Sequence, residues 1–275
     1  MVDQSTCCET RYGKYVNESR ERLVLTYLYE NGTLYSFFHA ARHLCVDVFM
    51  DICANIGCYS VFLGSQKSIK KIYAFEPAPE SFRQLEQNIF LQEDRERFRA
   101  IRMGVSDSKS EQRFLIVSQT AGNNRIVSNT QGETIAIQCD TLDSLVSMEG
   151  KRIALKIDVE GHEIKALAGM TKLLKDNTCL LQVECLNFEL ASRAQKILFA
   201  LGYRLLFVLR DDYIFISGNL EKEENALRGI YFTYLKKELQ ELLDLRTYKR
   251  DTINRLSAAL HYAGYPYNPI DVEKN

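Results

Sequence analysis

No apolar run in this 275-residue chain approaches the ~20 residues that a membrane-spanning helix needs, so no membrane insertion is expected. The start, Met1-Val-Asp-Gln-Ser5, lacks the charged flank and apolar segment of a secretory leader, and a cytoplasmic location is expected. Charge of one sign is missing too. The 35 Lys and Arg are balanced by 36 Asp and Glu, for a formal net charge of -1. Nothing in that balance attracts a phosphate backbone, so nucleic acid is not an expected partner. The eight cysteines include no C-x-x-C pair and no histidine at zinc-ligand spacing, which favours buried reduced thiols over a zinc site. No internal repeat and no low-complexity tract is present. The G-x-G-x-x-G of a pyrophosphate-binding turn is also absent, since only Gly57 remains at the corresponding turn, and this counts against NAD and FAD.

What is present is one large α/β unit. Hydrophobic residues make up 46% of the chain, enough for a sizeable core and one main domain. The run Val48-Phe-Met-Asp-Ile52 has strand composition, Ala54-Asn-Ile-Gly57 forms a turn that lets backbone approach a ligand, and Tyr59 to Leu63 begins a helix. The next apolar run ends in Tyr73-Ala-Phe-Glu76-Pro77. A carboxylate there takes the two hydroxyls of a ribose. S-adenosyl-L-methionine carries no phosphate and needs a tight turn, a carboxylate for its ribose and electronegative groups near its sulfonium. Asp51, Asn55 and Glu76 meet that description.

Along the chain, residues 1–45 read as a helical N-terminal extension. Leu23, Val24, Tyr27 and Leu28 lie on one face, Asn31-Gly32 act as a stop, and a second helix runs from Thr33 to His43. His39 and His43, one helical turn apart, read as a packed surface pair. Residues 46–218 read as the main domain: a third strand from Phe98 to Val105, a β insertion over about 108–140, a strand from Ile153 to Ile157, a helix from Glu163 to Lys175, and a strand from Cys179 to Glu184. Alternating strands and helices imply a mostly parallel sheet with helices on both faces, and Tyr203 to Leu209 with Tyr213 to Ser217 closes it as an antiparallel C-terminal hairpin. Residues 219–275 read as a helical C-terminal extension. Its stripe of Leu235, Leu239, Leu242, Ile253, Leu256 and Leu260 either packs on its own domain or forms a homodimer seam.

The run Ala154-Leu-Lys-Ile-Asp-Val-Glu-Gly-His-Glu-Ile-Lys-Ala-Leu-Ala-Gly169 closely resembles the signature of the FkbM family of S-adenosylmethionine-dependent methyltransferases. The likeness extends to the D-x-x-A-N-x-G turn at Asp51, Phe75-Glu-Pro77, Gly104-Val-Ser-Asp107 and Thr141-Leu-Asp-Ser-Leu145, from about Val46 to Ile216. It implies a Rossmann-like class I methyltransferase sheet and an O-methyltransferase acting on a hydroxyl of a sugar, glycan or secondary metabolite. The family usually has glycine where this chain has Cys53, and a positive φ there would strain a cysteine.

The expected cofactor edge comprises Asp51, Cys53, Ala54, Asn55, Gly57, Glu76 and Pro77, with Ser106 and Asp107 at the adenine and Asp158 at the reactive end. An alcohol must lose its proton as it attacks, which asks for a general base. Asp158 is the first candidate, with Lys156 as its ion-pair partner and Glu160 and His162 as alternative bases. Asp158, Glu160 and Glu184 also offer Mg²⁺ a place to polarise a vicinal diol. Competing readings are a carboxyl methyltransferase, which needs no base, and a non-catalytic S-adenosylmethionine-binding or scaffold protein.

Overall fold

The computed structural model describes residues 7–10, 13–16, 19, 31–117, 124–127, 132–234, 236–237 and 240. In chain order the elements are β1 (Cys7–Thr10), β2 (Gly13–Val16), α1 (Asn31–His43), β3 (Val48–Ile52), α2 (Cys58–Gly64), β4 (Lys71–Phe75), α3 (Pro79–Phe90), β5 (Phe98–Ile101) and β6 (Gly104–Val105). These are followed by β7 (Ser110–Leu115), β8 (Arg125–Ile126), β9 (Thr134–Asp140), α4 (Leu142–Leu145), β10 (Arg152–Ile157), α5 (Glu163–Ala168) and α6 (Thr171–Asp176). The last are β11 (Thr178–Glu184), α7 (Phe188–Ala200), β12 (Tyr203–Leu209) and β13 (Asp212–Ser217), and residues 224–234 are helical.

A seven-stranded sheet runs in the order β12-β13-β11-β10-β3-β4-β5. Strands β3, β4, β5, β10 and β11 are parallel, while β13 pairs antiparallel with both β11 and β12. The parallel strands are buried on both faces, so they read as near-continuous apolar runs. In β3 and β10, Phe49 and Ala154 face one core with α1, α2 and Tyr231, whereas Met50, Ile52, Leu155 and Ile157 face a second core with α5, α6 and α7. The chain steps outward from β3 through β4 to β5, then returns to β10 on the other side of β3. That reversal opens a crevice beyond the carboxyl ends of β3 and β10, where open α/β sheets bind ligands.

The N-terminal part differs from the sequence expectation. Residues 7–10 and 13–16 pair as antiparallel strands, not helix, and Tyr15 is fully buried against the first core. Asn31-Gly32, expected as a stop, are themselves helical and are the first described residues of α1, where the Gly32 carbonyl accepts from Ser36 Oγ at 2.7 Å. The expected helix around Leu23 and the stripe from Leu235 to Leu260 lie outside the described residues. On α1, His39 stacks on Tyr234 at 4.5 Å and His43 Nε2 is 2.8 Å from Glu223 Oε2.

Two expected elements are split. The third strand ends at Ile101, and Gly104–Val105 leaves the main sheet to pair with β9 in a four-stranded sheet, order β6-β9-β7-β8, which is the expected β insertion. The helix expected over Glu163 to Lys175 breaks at Gly169. A Cβ there would sit 1.8 Å from the Ser106 carbonyl oxygen and 3.3 Å from Thr141 Cα, so only glycine lets these backbones meet. Thr141 caps α4 by accepting from Ser144 N at 3.2 Å, and Asp143 accepts from the Lys172 and Leu173 amides at 2.9 and 2.8 Å, capping α6. Three separated sequence motifs therefore converge on one packing point beside the crevice. Among the described residues, no helix is long and apolar enough to cross a membrane.

Candidate active site

The turn after β3 is built from left-handed residues. Cys53, Asn55 and Gly57 have φ of 69°, 53° and 85°. At Gly57 a Cβ would also fall 2.6 Å from Leu85 Cδ1, so that glycine answers to both conformation and space. For Cys53 and Asn55 the left-handed region costs on the order of 1–2 kcal/mol each. The turn is held against that cost by backbone. Ala54 N donates to Phe75 O and Gly57 N to Ala54 O, both at 2.8 Å.

Glu76 completes the clamp. It is 3% exposed, and its carboxylate accepts from Asn55 N and from Ala78 N, each at 2.8 Å. One side chain thus ties the β3 turn to the β4 turn. Asp51 is also buried, accepting from Ser60 N at 3.0 Å and Ser60 Oγ at 2.7 Å. Burial, only partly offset by Ser60 and Lys156, pushes its carboxyl up to about 6. Burial and then Glu76 raise the Cys53 thiol well above its ordinary value, which favours its protonated form. A cavity of about 20 Å³ lies beside this clamp, walled by Cys53, Pro77, Met103, Val159, His162 and, from the insertion, Phe114.

Across the switch point the polar groups are side chains in cross-strand register. Lys156 sits opposite Asp51 on β3 and opposite Gln182 on β11. Its ammonium is 2.8 Å from Asp158 Oδ2 and 3.2 Å from Glu184 Oε2, and 5.1 Å above the Tyr59 ring. The lysine side chain is 4% exposed, while those of Asp158 and Glu184 are 29% and 28% exposed. Burial opposes the cation, yet Asp158 and Glu184 outweigh it and hold its pKa well above the ordinary lysine value. Lys156 pulls Glu184 down, but burial, Asp158 and Asp212 prevail and push that carboxyl up to about 8.

The loop after β10 brings further predicted residues together. Glu160 has φ 51° and Gly161 φ 100°. Burial, then Asp158 and Glu163, push Glu160 up to about 7. Glu163 is fully buried and accepts from Gly161 N at 2.8 Å, fixing the loop. His162 Nε2 lies 2.9 Å from Ser106 Oγ, and burial and Lys165 hold its pKa below the ordinary value. Ser106 is fully buried and also donates to Asp107 Oδ1 at 3.2 Å, while Asp107 itself is exposed. His162 and Ser106 therefore join the signature loop to the β6 strand. Asp158, Glu160 and Glu184 do not assemble as ligands, because the Lys156 ammonium stands between Asp158 and Glu184. Among the described residues no group of His, Cys, Asp or Glu is arranged to hold a metal ion.

The Methyltransferase FkbM domain profile matches residues 51–205, more than half of the chain. The chain belongs to the FkbM methyltransferase family. Over 133 residues it is 33% identical to the hexuronic acid methyltransferase AglP of Haloferax volcanii, a match covering 47% of this chain and 52% of that protein. The chain thus spans about half the length of this curated relative. Two solved structures are more distant. A methyltransferase FkbM from Methylobacillus flagellatus is 16% identical, covering 62% of this chain and 44% of that one at a TM-score of 0.46. A SAM-dependent O-methyltransferase from Thermotoga maritima is 13% identical, covering 66% and 63% at a TM-score of 0.40. Within the FkbM segment, Ser60, Tyr59 and Gln182 escaped sequence reading, since each acts through a fold contact and none belongs to a motif.

Proposed function

We propose that this FkbM-family protein is an S-adenosylmethionine-dependent O-methyltransferase acting on a hydroxyl of a sugar, glycan or related secondary metabolite, with Asp158 as general base. The observation carrying this reading is that the Glu76-clamped turn and the lysine-anchored Asp158 share one crevice, at the carboxyl ends of β4, β3 and β10. The residues fit such a cofactor. Carboxylates, with neither a glycine-rich nest nor a ring of cations, line this edge, which suits a phosphate-free nucleoside bearing a positive sulfonium. Bound there, S-adenosylmethionine supplies an electrophilic methyl group. The Asp51 to Gly57 turn and Glu76 would hold its amino-acid and ribose ends, and the wall of Pro77, Met103 and Val159 would face its base, near Asp107.

The chain's own groups then divide the work. Asp158 accepts the proton that the acceptor hydroxyl sheds, and Lys156 fixes the orientation of its carboxylate. Glu160, on its left-handed turn, is the second carboxyl within the crevice loop. His162 holds that loop through Ser106 and remains the alternative base. The Haloferax relative is a hexuronic acid methyltransferase, which supports a sugar acceptor here. The test is methyl-labelled S-adenosylmethionine with a panel of neutral glycosides and uronic acids. Label retained through mild alkali is an ether and supports the proposal. Alkali-labile label is an ester and contradicts it, as does the absence of transfer to every acceptor.

A further inference from the structure

Asp212 opens β13, beyond the last residue matched by the family profile, yet it reaches the site. It is paired in register with Glu184 across β11 and β13, so two carboxyls face each other directly. Like charges directly opposite on a sheet repel. Gln182, fully buried, bridges the region: its Nε2 donates to Asp212 Oδ1 at 2.8 Å and to the Tyr59 hydroxyl at 3.0 Å. Tyr59 in turn lies under the Lys156 ammonium. A chain of contacts therefore runs from Asp212 through Gln182 and Tyr59 to the lysine that holds Asp158.

Charge makes this chain consequential. Lys156 from β10 is the cation of the cluster, and Asp158, Glu184 and Asp212 are the carboxyls around it. Asp51 faces it from β3 and Glu160 from the following loop. Asp211 adds a further carboxyl at the turn, and Tyr231, from the helix at residues 224–234, is buried beside Asp212. Burial raises the Asp212 carboxyl as well as that of Glu184, so three close carboxyls around the Lys156 ammonium favour keeping a proton among them.

We infer that Asp212 is a positioning residue: lying opposite Glu184 and tethered by Gln182, it keeps the shared proton on Glu184, leaving Asp158 as the carboxylate paired with Lys156 and open to the acceptor. This inference rests on the proposed role of Asp158 as base. Its direction agrees with burial, Asp158 and Asp212 together raising Glu184 against the pull of Lys156.

The test is a carboxyl-¹³C NMR titration of Glu184, which needs no acceptor. In the unaltered protein the midpoint is expected at about 8. Asp212→Asn removes the opposing charge and is expected to lower it by roughly one pH unit, with Asp212→Glu restoring it. The descending limb of the kcat/KM profile, where Glu184 loses that proton, should move by the same amount while KM for S-adenosylmethionine stays within about twofold. A merely structural role would change thermal stability without moving either midpoint. Should Asp212→Asn fail to fold, Gln182→Met, which releases the tether and keeps every charge, is expected to lower the midpoint by a smaller step. A Glu184 midpoint that moves in neither variant overturns the inference. Absence of methyl transfer by the unaltered protein would contradict the proposed function instead, leaving the titration as a separate result.

Discussion

The two ends of the crevice are held by different kinds of bond. At the cofactor end, Glu76 and the β3 turn are fixed by backbone amides, with strain at Cys53 and Asn55 held in place by surrounding hydrogen bonds. At the acceptor end, Lys156, Asp158 and Glu184 hold one another through charge, with both carboxylates partly open to solvent. The first end is held through backbone amides, whereas the second is held by charge that shifts as protons move. A binding platform and a proton-handling site thus sit on adjacent strands of one sheet.

The contrast is broken most severely at Asp158. Asp158→Asn is expected to lower turnover by about 100-fold or more while affinity for S-adenosylhomocysteine stays within a few fold, measured by initial rates and calorimetry. Unchanged turnover would remove Asp158 from the chemistry. At the other end, Glu76→Ala is expected to weaken cofactor binding by about 1–3 kcal/mol, because both turns lose their shared acceptor. An affinity that does not move would show that the clamp is unrelated to the nucleoside.

Glu184 sharpens the comparison through pH. Its carboxyl rises from an ordinary 4.5 to about 8 in the folded chain, so the folded state binds the extra proton between those values. The stability this provides is complete below about pH 4.5 and is lost as pH rises through about 8. Glu184→Gln mimics the protonated form, and the fall in melting temperature between pH 5 and 8.5 should be shallower in it by several degrees. Parallel melting profiles would refute that charge state. The smallest expected effect is Cys53→Gly, which relieves the left-handed strain and should raise stability by about 0.5–1 kcal/mol, read from denaturant midpoints. A loss of stability there would mean that the thiol's packing outweighs the strain.

How much of this was legible follows the same division. The Asp51 turn and Glu76 each lie in one short stretch that local chemistry sufficed to single out, and the Asp158 signature stood out through its family resemblance. The mostly parallel sheet and the antiparallel end hairpin were also legible, because the alternation of apolar runs and turns is local. Residues that act across strands were not. Gln182 and Asp212 matter because register sets them against Lys156 and Glu184, and no spacing within either strand reveals that. Asp51 read as a cofactor group, yet the structure ties it to Ser60 on the next helix. The helix through Gly169 broke for a similar reason: Ser106, far away in sequence, presses its carbonyl into the space a Cβ would fill.

The most direct measurement is a crystal structure with S-adenosylhomocysteine. The account predicts ribose hydroxyls on Glu76, the base against Pro77 and Met103, and the sulfur turned toward the Asp158 carboxylate. Adenosine bound elsewhere, or a thioether sulfur directed away from Asp158, would contradict it.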